Sequence, residues 1–116
     1  MSLFAVLFAL ALPAQARSPV ASTPESVASG AKLYGRNCAA CHGKEGKGDG
    51  AGGAKLDPKP SNLSDAEWKH GETDPEIFQV VHDGVKNTAM KAYGSRMTER
   101  ELWDLVNYIR SLRPSP

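Results

Sequence analysis

Cys38, Cys41 and His42 stand in the order Cys38-Ala39-Ala40-Cys41-His42, and no other spacing in the chain is as suggestive of chemistry. Two cysteines three positions apart can serve several ends. A disulfide across two intervening residues closes so short a loop that it adds little stability. A thioredoxin-like dithiol opens a helix after a buried strand, and nothing strand-like precedes Cys38. Structural zinc needs four ligands, and Cys38 and Cys41 are the chain's only cysteines. The following His42 completes C-x-x-C-H, the spacing for covalent haem attachment. Two thiols one helical turn apart reach the two vinyl groups of one haem, and the next residue brings an imidazole under the iron. The cofactor this implies is a single haem c, tethered through Cys38 and Cys41 and ligated by His42.

The chain that must position these residues has 116 amino acids. Met1 to Ala16 contains no charged side chain, has an apolar run from Leu3 to Leu12, and ends in Pro13-Ala14-Gln15-Ala16, an A-x-A cleavage pattern. That run is far short of the roughly 20 residues of a spanning helix, so residues 1–16 read as a secretory signal peptide that is cleaved on export to the periplasm. Residues 17–25 read as a flexible tail, and 26–116 as one domain. No later segment is apolar enough to span a membrane. The 14 Lys+Arg against 13 Asp+Glu give a formal charge of +1, which argues against nucleic-acid binding.

The hydrophobic pattern is helical throughout. Val27, Ala31, Tyr34, Cys38 and Cys41 recur at steps of three and four, which predicts one amphipathic helix from Ser26 to Cys41. Thr98 with Glu101 forms a capping box ahead of Leu102, Leu105, Ile109 and Leu112, and Pro114 forbids continuation. Thr73 with Glu76, Pro75 and a stop at Gly84 bracket another helix holding Ile77, Phe78 and Val81. Ser64 with Glu67 opens a shorter helical segment holding Trp68. No stretch alternates with period two, so the fold class is all-α. Gly43 to Gly53 is glycine-rich and matches G-x-G-x-x-G. It follows a helix and runs into Pro58 and Pro60, which excludes a dinucleotide site and leaves a flexible loop.

Gly30-Ala31-Lys32-Leu33-Tyr34, C-x-x-C-H, the Met90 segment and Leu105-Val106-Asn107-Tyr108-Ile109 together resemble a class I c-type cytochrome of the small bacterial kind. The similarity runs from about Gly30 to Leu112. It implies a cytochrome c-like fold, with three to five short helices around one haem and the N- and C-terminal helices crossing at Gly30, Tyr34 and Tyr108. It implies Met90 as the second axial ligand, from a loop before the last helix. Lys91 departs from the proline that usually follows that methionine, which implies a looser loop. The resemblance also implies that the carbonyl of Pro58 or Pro60 supports the His42 imidazole.

Met97 resembles the apolar residue that packs the start of the last helix, and His70 and His82 are the remaining alternatives to Met90. Trp68 and Tyr93 are read either as core filling or as donors of a hydrogen bond to a haem propionate. A His/Met pair saturates the iron and raises its potential, which describes a one-electron carrier and not an enzyme. The expected partners are redox proteins such as a respiratory complex, an oxidase or a periplasmic dehydrogenase, met transiently by a monomer. Lys44, Lys47, Lys59, Lys86, Lys91 and Arg96 are candidates for a basic docking ring. The alternative function is a peroxidase-like or gas-binding haem protein with a labile distal ligand, and after it a thiol-disulfide module.

Overall fold

The computed structural model describes residues 17–65, 68 and 72–113. Among them every regular element is helical: α1 (Pro24–Asn37), α2 (Ala39–His42), a 3-10 turn (Ala51–Gly53), α3 (Asp74–Asp83) and α4 (Glu99–Leu112). The all-α expectation therefore holds. The signal segment 1–16, His70, and most of the short helix expected from Ser64 and Glu67 lie outside the described residues.

Local chemistry sets the helix ends. The Thr23 hydroxyl accepts the Ser26 N–H at 3.1 Å, Pro24 presets φ in the first turn, and Glu25 favours the dipole. α1 thus begins two residues before the expected Ser26. The helices α3 and α4 start at the two expected capping boxes, Thr73 with Glu76 and Thr98 with Glu101, each bonded reciprocally. Gly84 stops α3 at φ +70°, where a Cβ would be strained.

Two expectations fail for reasons of long-range bonding and backbone shape. The segment expected to be a flexible tail is pinned, because Ser18 N–H donates to Asp74 Oδ2 at 2.7 Å and Asn107 Nδ2 donates to the Val20 carbonyl at 3.0 Å. The helix expected to run unbroken through Cys41 is two helices. At Cys38 the backbone leaves helical geometry (φ −120°, ψ −37°) although its N–H still reaches the Tyr34 carbonyl at 2.8 Å.

The core is the crossing of α1 and α4. Gly30 supplies no side chain at the contact, so α4 approaches over Asp104 and Tyr108. One turn on, the Tyr34 and Tyr108 rings meet with centroids 5.1 Å apart and planes tilted by 55°, a favourable aromatic arrangement. Leu102, Leu105, Val106 and Ile109 fill the buried face of α4. Polar groups at the crossing are paired: Ser26 Oγ donates to Asp104 Oδ1 at 2.6 Å, and Asn107 Nδ2 donates to Ser26 Oγ at 3.0 Å. α3 packs on the other side, with Phe78 stacked on Trp103 at 4.2 Å.

Candidate functional site

α2 is one turn long, and it exists to aim three side chains. Cys38 is its N-cap, Cys41 and His42 are its last two residues, and Gly43, at φ +86°, turns the chain away immediately afterwards. The Gly-rich segment that follows is not the flexible loop expected. Gly48 N–H donates to the His42 carbonyl at 2.7 Å and Gly50 N–H to the Cys41 carbonyl at 3.1 Å, folding the loop back onto the motif. Glycine is required there, since a Cβ on Gly50 would meet the Cys41 carbonyl carbon at 2.7 Å. From α1, the Tyr34 hydroxyl donates to the Gly43 carbonyl at 2.6 Å and caps the end of α2.

Ser61 lends its main-chain carbonyl to His42, with Nδ1 and oxygen 2.9 Å apart. Neither Pro58 nor Pro60 supplies this acceptor, contrary to expectation. Pro60 holds its own carbonyl against Gly48, so the next carbonyl along is the one presented to the imidazole. A ring nitrogen held in this way fixes the tautomer and leaves Nε2 as the lone-pair atom for a metal.

Cys38, Cys41, His42 and Met90 all line one cleft of about 350 Å³, within the usual range for small-molecule sites of roughly 300–1,000 Å³. Its other walls are mainly apolar: Leu56 and Leu63 from the segment after the glycine loop, Ile77, Val80 and Val81 from α3, and Ile109 from α4. Met97 and His82 are not among the lining residues. Met97 packs against the hydrophobic core, and His82 lays its ring against Gly94 with Nδ1 2.7 Å from Asp83 Oδ1. That contact holds the Asp83 carboxyl below the ordinary range.

The loop carrying Met90 is tied to α3 at its far end, despite the lysine at residue 91. Tyr93 N–H donates to the Val81 carbonyl at 2.9 Å and Gly94 N–H to the His82 carbonyl at 3.0 Å, using acceptors left over at the end of α3. The Tyr93 hydroxyl donates to the Asn37 carbonyl at 3.0 Å, and the Trp68 indole N–H donates to the Leu63 carbonyl at 2.9 Å. Both aromatic donors are thus committed to backbone acceptors, which favours the packing reading over the propionate reading. Of the six basic residues considered for docking, Lys59 and Lys91 line the cleft.

Before any thioether forms, burial pushes the Cys38 thiol up to about 12, with the neighbouring Cys41 adding to the shift. Among the described residues no three His, Cys, Asp or Glu side chains gather as a metal-ion site. An apolar slot bearing two thiols, one imidazole and one thioether instead fits a haem, which brings its own four equatorial nitrogens and needs only two axial donors.

The family described as cytochrome c oxidase, cbb3-type, subunit III matches residues 25–109. The chain belongs to this family of c-type cytochromes. Cbb3-type cytochrome c oxidase subunit FixP of Azorhizobium caulinodans is similar, at 34% identity over 83 residues, covering 72% of this chain and 26% of that protein. The cytochrome thus spans about a quarter of that relative's length. Among solved structures, the reducing HAO-like protein complex of Kuenenia stuttgartiensis matches 83% of this chain and 47% of its own, with TM-score 0.77 and 27% identity. Cytochrome cL from Hyphomicrobium denitrificans matches 73% and 46%, with TM-score 0.60 and 25% identity. As a c-type cytochrome domain, the chain is a haem protein of electron transport. Among the described residues no helix is long and apolar enough to cross a membrane.

Proposed function

We propose that this cytochrome is an exported one-electron carrier, with one haem c tethered through Cys38 and Cys41 and ligated axially by His42 and Met90. The observation that supports this most is the convergence of these four side chains on one apolar cleft, from α2 on one side of the sequence and from the loop after α3 on the other. The haem would supply reversible exchange of a single electron at its iron, and the protein's own residues set the terms of that exchange. His42, oriented by the Ser61 carbonyl, presents a fixed lone pair. Met90 would hold the iron through its thioether opposite His42, and with both ligands in place O₂ or peroxide would have nowhere to bind. Ile77, Val81 and Ile109 line the cleft and would keep the haem in apolar, low-dielectric surroundings.

Cleavage after Ala16 would release the domain into the periplasm as a monomer. Lys59 and Lys91, at the cleft, are suited to brief contact with an acidic face of a redox partner. The cbb3-type oxidase subunit among its relatives makes a respiratory oxidase or its electron donors the first partners to try.

Visible spectra of the protein exported from a host with haem-attachment machinery test the proposal. A low-spin c-type spectrum, with a weak red methionine–iron band when oxidised and no response of the reduced protein to carbon monoxide, is expected. High-spin iron or rapid carbon monoxide binding would overturn it in favour of a peroxidase-like or gas-binding protein.

A further inference from the structure

Residue 91 is a lysine, whose φ is unconstrained, so stiffness at Met90 has to come from another source. The segment from Gly84 to Met90 closes on itself. Val85 N–H donates to the Met90 carbonyl at 3.2 Å. The Thr88 hydroxyl donates to the Val85 carbonyl at 2.8 Å and accepts the Met90 N–H at 3.1 Å. Both main-chain polar groups of Met90 are therefore engaged within its own loop, one of them by a single side chain. Thr88 itself lines the cleft, and its one hydroxyl proton and an acceptor lone pair are both spent on this loop.

Gly84 makes the closure sterically feasible. It adopts φ +70° and ψ −173°, and a Cβ there would stand 2.7 Å from the Met90 carbonyl oxygen and 2.9 Å from Ala92 N. Asn87 completes the turn at φ +61°, a conformation asparagine tolerates better than most residues.

We propose that Thr88 is the positioning residue for Met90, and that Gly84 leaves the room for Thr88 to lock it. The proposal rests on the reading of Met90 as an iron ligand. Thr88 acts through the Met90 backbone and does not touch the metal. It keeps the thioether at the cleft while the loop's far end is held separately by Tyr93 and Gly94.

The test uses the haem-loaded protein and its Thr88→Val, Thr88→Ser and Gly84→Ala variants, with imidazole as a competing ligand and loss of the red methionine–iron band as the readout. Losing one ordinary hydrogen bond should let imidazole displace the thioether about five- to tenfold more readily in Thr88→Val. Thr88→Ser, which keeps the hydroxyl, should match the parent. Gly84→Ala should weaken or abolish the band while the helical circular dichroism stays unchanged. The proposal is overturned if Thr88→Val resists imidazole as well as the parent, or if Thr88→Ser is as weak as Thr88→Val. A parent protein with no red band, and with a spectrum unaltered by Met90→Ala, would remove the ligand reading itself and this proposal with it. A parent that keeps its band while Thr88→Val is unaffected would remove only the role of Thr88.

Discussion

Gly30 sits against Tyr108 so closely that a Cβ on residue 30 would lie 2.7 Å from the Tyr108 Cβ. The contact is between two helices, and neither can yield without moving the pair. Any side chain at residue 30 therefore opposes the crossing on which the core is built.

Gly30→Ala sets two effects against each other. Helix propensity gains up to about 1 kcal/mol from the substitution. Overpacking a rigid backbone contact costs roughly 1–3 kcal/mol, and here the obstruction is main chain as well as side chain. The net expectation is a lower thermal midpoint for the haem-loaded protein, with Gly30→Val worse than Gly30→Ala. Thermal denaturation followed by circular dichroism checks this, and a midpoint equal to or above the parent's would contradict it.

Tyr34→Phe removes the hydroxyl that caps α2 through the Gly43 carbonyl, at a site where Tyr34 is only 2% exposed. A buried carbonyl left without its donor costs about 1–3 kcal/mol. The same residue carries a pH dependence. Burial, chiefly, raises the Tyr34 phenol well above its ordinary range, with the nearby Cys38, Tyr108 and Asp49 adding to the shift. The folded state therefore keeps the proton that the unfolded chain gives up near pH 10, so the contribution is complete below about pH 10 and is lost as pH rises above it. Denaturant midpoints taken across that range should fall more steeply for the parent than for Tyr34→Phe. Equal slopes would remove Tyr34 as the cause.

Ser61→Ala should leave the haem environment unchanged, because the acceptor for His42 is a main-chain carbonyl. Gly48→Ala should not. Gly48 has φ +81°, and a Cβ there would approach the Pro60 carbonyl oxygen to 2.6 Å, displacing the strand of chain that carries Ser61. Weakening the bond to Nδ1 makes the imidazole a poorer electron donor, which raises the reduction potential. Protein-film voltammetry on the two variants decides it; a potential shift in Ser61→Ala alone would reverse the assignment.

Replacing Cys38 and Cys41 together with alanine should abolish the cooperative thermal transition. Without a covalently held haem, the cleft walls Ile77, Val81, Tyr93 and Ile109 enclose nothing apolar, and a chain of this size has little other core to compensate. Differential scanning calorimetry of the apoprotein would show a broad or absent endotherm. A sharp transition matching the haem-loaded protein would mean that the α1–α4 pair suffices alone.

What was legible in the sequence was local or carried by resemblance. Thr73 with Glu76 and Thr98 with Glu101 were readable because a capping box is complete within four residues. Gly30, Tyr34 and Tyr108 were readable as a crossing through the family pattern. α1 starts ahead of the apolar period that marks it from Ser26, because Thr23 caps it and Pro24 and Glu25 form its first turn. The pinned tail could not be read at all: Ser18 meets Asp74 and Val20 meets Asn107 across separations of 56 and 87 positions. At the site, Cys38, Cys41 and His42 were nameable from their spacing and Met90 through the resemblance, and the four share one cleft. The Ser61 acceptor is backbone, which residue identity does not mark. Thr88 did leave a faint signal, a hydroxyl residue two positions before Met90 that can bond forward to a main-chain N–H.

The crossing of α1 and α4 has a further consequence for the chain between them. With those helices paired, everything from Cys38 to Thr98 is one closed loop whose ends are held by the crossing. The entropy of closing such a loop grows only with the logarithm of its length, about 0.6 kcal/mol for each doubling. Residues inserted on the surface of that span, away from the cleft, would accordingly cost the fold little, whereas a single methyl group at Gly30 strikes at the closure itself.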